Sequence, residues 1–311
     1  MSGETIRIAG ASGFWGDAAR STPQLLKDED VDFIVYDYLA EITMSIMARA
    51  RAKNPDNGYA LDFVSAVMKP NLTEIARQSV RIVSNAGGVN PRACADALRS
   101  VIADLNLDLK VACVLGDDMI GQRDEIAAQG HKEMFSGDGF PDVSKVASIN
   151  AYLGAFPVAR ALQEGADIVI TGRSVDSAVT LGACIDAFGW GRGDLNQLAM
   201  GSLAGHILEC GPQATGGNFT DWELSNNLEN IGYPVAEIRQ DGSFLCSKPK
   251  GTGGLVSVGT IAEQMVYEIG DPQAYILPDV ICDFSEVELT QIGKDLVEVK
   301  GATGLPAPDS Y

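Results

Sequence analysis

Short apolar runs, each closed by glycine or small polar residues and followed by a helical pattern, recur through the first half of the chain. Thr5-Ile6-Arg7-Ile8-Ala9 breaks at Gly10, and residues 18–28 read as a helix. Residues 32–37 (DFIVYD) form a second run, with helical patterns following from Glu41, at 61–68 and at 72–78. Further strands are expected at 80–84, 109–115 and 167–170, with helices over 92–105, 151–164 and 177–187. The helix at 92–105 starts beside Pro91, which suits a first helical turn, and places Cys94, Leu98, Val101 and Ile102 at helical spacing. Strands of about five apolar residues without alternation are buried on both faces, and strands alternating with helices build parallel βαβ units. The chain is therefore expected to be α/β, a mainly parallel sheet flanked by helices in a Rossmann-like three-layer arrangement.

The texture changes beyond Trp222. Residues 235–239 and 244–246 flank Gln240-Asp241-Gly242-Ser243, a hairpin signal, and 287–291 with 296–299 suggest a second antiparallel pair. Residues 257–269 read as a helix, and 120–145 as polar and irregular. A boundary near 220 is expected, with an α/β domain at 1–220 and a smaller α+β portion at 221–311 packed on it. A formal charge of −19 over 311 residues argues against nucleic acid and anionic membrane surfaces as partners. No apolar run approaches the roughly 20 residues that span a bilayer, and the opening MSGETIRIAG has no leader-like pattern. The 6 cysteines are scattered without a CxxC pair, the usage of buried thiols in a reducing compartment, so a cytoplasmic location is expected.

Ligands of open parallel sheets bind beyond the carboxyl ends of the strands. The corresponding loops hold Gly10, Ser12, Gly13 and Trp15; Asp37 and Glu41; Asn85, Gly87, Gly88 and Asn90; and Arg173 with Asp176. The stretch at 205–222 is expected to join them. There His206 and Glu209 lie three apart on one helical surface, ahead of a loop with Gly216, Gly217 and Asn218. His206 and Glu209 suit a general acid/base pair, the carboxylate orienting the imidazole. Arg173 suits a two-point clamp on a carboxylate or phosphate, or else an ion pair with Asp176. The glycine backbones suit stabilisation of developing negative charge. Lys250, beside Lys248 in a second glycine-rich loop, suits a phosphate.

Other chemistries are weighed on the same residues. Gly10-x-x-Gly13-x-x-Gly16 after the first strand, with Asp37 ending the second, fits a nicotinamide dinucleotide, although no Tyr has a Lys four residues later. Asp117 and Asp118 are candidates for a divalent metal, which needs several oxygen ligands; zinc finds few partners with only 2 histidines and no HExxH. No cofactor is required by the sequence. Cys210 closes a helix, the wrong end of the dipole for a nucleophilic thiolate.

Six blocks appear in order: IRIAGASGFWGD, DYLAE, VSNAGGVNP, ITGRSVDSA, GHILECGPQATGGNFTDW and KPKGTGGLVSVGTIAEQMVYEIGDP. Together they resemble the acyclic terpene utilisation AtuA family, from the first strand to the end of the chain. The resemblance implies a role in the catabolism of branched acyclic terpenoids such as citronellol and geraniol, whose intermediates are acyl-CoA thioesters. Many members of that family continue into a ferredoxin-like domain, whereas this chain stops at GLPAPDSY, so a further domain is expected to be absent or cut away. The resulting expectation is lyase, hydratase or hydrolase chemistry on a small acyl thioester or carboxylate. The alternatives are a non-catalytic subunit that binds a pathway partner enzyme, and an NAD(P)-dependent oxidoreductase; the partners expected are a small-molecule substrate and either further copies of the chain or a pathway enzyme.

Overall fold

The computed structural model describes residues 5–28 and 30–306; the ends of the chain, on which the expectations of a missing leader and a missing C-terminal domain rest, lie outside the described residues. The elements run β1 (Thr5–Gly10), α1 (Ala18–Leu25), β2 (Phe33–Tyr36), α2 (Glu41–Lys53), α3 (Lys69–Gln78), β3 (Arg81–Ser84), α4 (Pro91–Asp104), β4 (Val111–Val114), α5 (Arg123–Ala128), α6 (Phe156–Gln163), β5 (Ile168–Thr171), α7 (Ala178–Phe188) and α8 (Leu195–Glu209). They continue as β6 (Val235–Arg239), β7 (Phe244–Ser247), α9 (Val258–Val266), β8 (Tyr275–Ile276), β9 (Ile281–Asp283), β10 (Glu288–Gly293), β11 (Leu296–Lys300) and β12 (Thr303–Leu305).

Successive side chains of a strand leave its sheet on opposite faces, so a two-sided apolar run builds two cores. Ile6, Ile8, Phe33, Val35, Val83 and Val169 face α6, α7 and α8. Ala9, Ile34, Tyr36, Ile82, Ile168 and Ile170 face α1 through α4. The protein is α/β in three layers, as its strand and helix pattern predicts. Among the described residues one 9-stranded mixed sheet has the order β10-β11-β7-β6-β1-β2-β3-β5-β4, and a second, 3-stranded sheet has the order β12-β9-β8. The strands from β1 to β4 are parallel neighbours. On the other flank β6 runs antiparallel to β1, and β7, β11 and β10 extend the same sheet.

The chain steps outward through β1, β2 and β3 with its helices on one face. It passes over one strand position through α4 to reach β4, then returns through α6 on the opposite face and inserts β5 between β3 and β4. The two helices expected at 61–68 and 72–78 are one continuous run, because a π-helical turn, Phe63–Met68, joins the first turn to α3. Pro70 follows directly, in the first turn of α3, where a proline is tolerated, just after the wider turn that Lys69 N–H closes onto the Val64 carbonyl. The helix expected from 151 starts only at Phe156, where Pro157 lies in its first turn. The residues before it are extended: Leu153 N–H donates to the Arg173 carbonyl, and the Leu153 carbonyl accepts from Val175 N–H in return. A short helix, α5, lies inside the stretch expected to be irregular.

Candidate functional site

A crevice opens where neighbouring parallel strands send their following helices to opposite faces. Here β3 leads into α4 on one face and β5 into α7 on the other. The two loops beyond them touch: a Cβ at Gly87 would collide with the Thr171 carbonyl. Asn85 bridges this point to β2, since its Nδ2 donates to Asp37 Oδ1 and its Oδ1 accepts from Tyr38 N–H at 2.7 Å. Ser12 Oγ donates to the Asp37 carbonyl at 2.5 Å. The ends of β1, β2, β3 and β5 are thereby tied into one rim.

Arg173 organises one side of that rim. It is buried, with 4% of its surface exposed, and its Nη1 donates to Asp176 Oδ1 at 2.6 Å and to the Leu39 carbonyl at 3.0 Å. The guanidinium lies 4.3 Å over the Tyr152 ring, and the Tyr152 hydroxyl donates to Glu41 at 2.6 Å. The ion pair expected with Asp176 is present. Asp117, expected as a metal ligand, instead accepts from Arg173 N–H and Asn150 Nδ2, both at 2.8 Å. Asp118 turns away to Arg51 at 3.1 Å. Among the described residues no group of three or more His, Cys, Asp and Glu is placed to hold a metal ion.

The opposite side is the C-terminal end of α8, which reaches the rim because its glycines let it settle tightly. A Cβ at Gly205 would come within 2.7 Å of Ser177, and one at Gly13 within 2.6 Å of the Cys210 carbonyl. His206 Nδ1 and Glu209 Oε1 are 2.8 Å apart, with their side chains 2% and 8% exposed. Glu209 lines the cavity; His206 stands behind it, its ring against Tyr275 and its Nε2 buried without a partner.

Between these walls lies a cavity of about 260 Å³, lined by Trp15, Asp37, Asp176, Glu209, Cys210 and Glu268 among others. Burial raises the Asp37 carboxyl well above its ordinary range, with Asp176 and Glu209 adding to the effect and Asn85 opposing it. Asp176 is also raised by burial, against the pull of Arg173. Burial lifts Glu209 to about 7, against the pull of His206. Burial disfavours the His206 imidazolium, but the Glu209 charge outweighs it and holds His206 above its ordinary value. Burial and Glu209 push the Cys210 thiol up to about 12, so it is not a thiolate at neutral pH. A carboxyl group raised to about 7, as Glu209 is, can both give and take protons at neutral pH.

The other expected site residues also make contacts within the protein, with Gly13 and Trp15 at the wall of this cavity. Gly13 N–H donates to Asp17 at 2.8 Å, and a Cβ at Gly10 would strike the Leu208 carbonyl, so this turn faces α8 rather than presenting free amides. Trp15 Nε1 donates to Asp62 at 2.5 Å. Gly88, at φ +53°, is pressed against Met47 and the Gly58 carbonyl. Asn90 caps α4 and donates to the Pro55 and Asn57 carbonyls at 2.8 and 2.9 Å. Gly216 and Gly217 N–H groups close their own turn onto Gln213 and Pro212, and Asn218 donates to the Gln213 side chain. Lys250 lines a separate cavity of about 320 Å³ with Lys27 and Gln24, while Lys248 pairs with Asp295 at 3.3 Å. His131 is exposed.

Sequence reasoning passed over Tyr152, Tyr275, Gln264 and Glu268. Tyr152 supports Arg173, Tyr275 packs on His206, Gln264 Nε2 donates to the His206 carbonyl at 2.9 Å, and Glu268 lines the cavity. Tyr152 and Tyr275 lie outside the six sequence blocks, and Gln264 and Glu268 lie within the last of them at no spacing that signals chemistry. No curated protein and no solved structure matches the chain. One family model does, over residues 6–311, nearly the whole length that carries this rim, both flanks of the sheet and α8, and by that match the chain belongs to the acyclic terpene utilisation family, AtuA.

Proposed function

We propose that this protein is an acid/base enzyme of acyclic terpenoid breakdown, a hydratase or lyase that adds or removes water on a branched substrate. The observation that carries the reading is the sharing of one cavity by Asp37, Asp176 and Glu209, all with raised pKa values. A carboxyl group near neutral pKa is suited to protonate a departing hydroxyl in one direction and to deprotonate water in the other, while a second carboxylate of the cavity takes up or returns the proton of the neighbouring carbon as the double bond forms or is lost. Glu209 fits that role; His206 acts through it, holding its orientation and sharing its proton.

The charge balance favours a neutral reacting group. Arg173 is already met by Asp176, so an anionic head would face carboxylates without a free cation. A thioester carbonyl, as in an acyl-CoA, or a tertiary alcohol has no such penalty. The 6 cysteines are unpaired, which supports a reducing, cytoplasmic setting. Among the described residues no helix is long and apolar enough to cross a membrane.

The test is water addition to, or loss from, branched enoyl thioesters and terpenoid alcohols by the purified chain. Glu209→Gln and Asp37→Asn should each lower kcat by about 10²-fold or more, the usual worth of a positioned acid or base, with KM little changed. Circular dichroism would confirm that each variant is folded. Turnover that survives both substitutions would overturn the reading.

A further inference from the structure

Asp176 lines two cavities. One is the polar chamber of Asp37 and Glu209. The other is a larger trough of about 540 Å³ walled by Tyr152, Val175, Tyr275, Ile276, Leu277 and Pro278. Apart from Asp176, that wall is aliphatic or aromatic. Ile276 stands 56% exposed and Tyr152 45% exposed, unusual company for a chain of charge −19. The trough is built from distant parts of the chain, the residues after β5 and the residues of β8 and its turn, so no local fold requirement puts these side chains together.

We propose that this trough binds the hydrocarbon chain of the substrate, with Asp176 at the junction between chain and reacting group. The inference rests on the acid/base reading for what happens in the polar chamber, and adds which wall reads the rest of the molecule. Two further features fit an amphipathic occupant. Tyr275 packs its ring on His206 at 6.0 Å while lining the trough, so it spans from the acid/base pair to the apolar wall. Among the described residues its hydroxyl has no hydrogen-bond partner, and burial, with Glu209 and Asp176 nearby, disfavours its ionised form, leaving an O–H donor for a ligand oxygen at the chamber mouth. On the far side of Asp176, Arg173 and Tyr152 are locked together, giving the trough one rigid edge. Specificity for chain length and branching then belongs to Val175, Ile276 and Leu277, and not to the carboxylates.

Binding of 1-butanol, 1-hexanol and 1-octanol to the full chain, followed by calorimetric titration, tests this without any turnover. Each buried methylene is worth roughly fourfold in affinity, so 1-octanol should bind at least tenfold more tightly than 1-butanol. Val175→Trp, which fills the trough, and Ile276→Asp, a change at an exposed position that keeps the core intact, should each abolish that gain and leave 1-butanol unaffected. Glu209→Gln should keep the gain while turnover falls. An affinity independent of chain length in the unmodified protein, or a gain that persists in Ile276→Asp, would overturn the trough assignment. Loss of turnover in Glu209→Gln would then still stand for the acid/base reading, so the two fail separately.

Discussion

Asp17 accepts hydrogen bonds from Gly13 N–H at 2.8 Å and from the Tyr233 hydroxyl at 3.3 Å, yet its other oxygen is buried with no partner. Burial dominates over those bonds and raises its pKa from 3.8 to about 6. The folded state thus binds the proton more tightly than the unfolded chain does. Its contribution to stability is fully present below about pH 4 and is lost as pH rises through about 6, by roughly 3 kcal/mol at most. Asp37, Asp176 and Glu209 are raised in the same direction and add to the trend. Asp17→Asn keeps an oxygen for Gly13 N–H and removes the titration. Urea unfolding should show the variant about as stable as the parent at pH 4 and more stable by about 1–2 kcal/mol at pH 8. A difference that is the same at both pH values would refute the assignment.

The first βα turn and the end of α8 fit against each other through glycine. A Cβ at Gly13 would lie 2.6 Å from the Cys210 carbonyl, and one at Gly10 would overlap the Leu208 carbonyl, in both cases backbone that cannot swing aside. Gly13→Ala should cost about 1–3 kcal/mol, the range of overpacking, and lower turnover further by displacing Glu209; urea melts and initial rates measure both. These glycines also show what could be read from the chain alone. Glycine signals a close approach, but not whether the neighbour is a ligand or a helix, and Gly13, Gly88, Gly216 and Gly217 are used for packing and turn closure. The central strands were legible because burial on both faces leaves an unbroken apolar run, as in Phe33–Tyr36. His206 and Glu209 were legible because helical spacing is local. Tyr152 and Tyr275 were not: each gains its role from a partner more than twenty residues away, Arg173 for one and His206 for the other.

At the scale of the whole molecule, residues 221–311 are woven into the same sheet as the parallel core. Strand β6 pairs along β1 from Thr5 to Ala9, and β7, β11 and β10 follow it outward. One apolar core takes Ile6, Ile8 and Phe33 from the N-terminal strands, Leu203 and Ile207 from α8, and Ile238, Phe244, Val297 and Val299 from the C-terminal ones. The small sheet presses on α8 as well, since a Cβ at Gly304 would strike the Leu195 carbonyl. Removing 221–311 would leave the β1 edge unpaired over a run of five residues and strip cover from that core. The full chain should therefore melt in a single transition, with calorimetric and van 't Hoff enthalpies equal. A fragment ending at residue 220 should be insoluble, or lack near-ultraviolet circular dichroism while keeping helical signal. A fragment that folds cooperatively would mean instead that the parallel core is an independent domain. The candidate site gives this a functional consequence: the polar rim is built before residue 220, but Glu268, Tyr275 and Leu277 come after it. A core that folded alone would keep Asp37, Asp176 and Glu209 yet lose the apolar wall, so its affinity for 1-octanol should fall to that for 1-butanol.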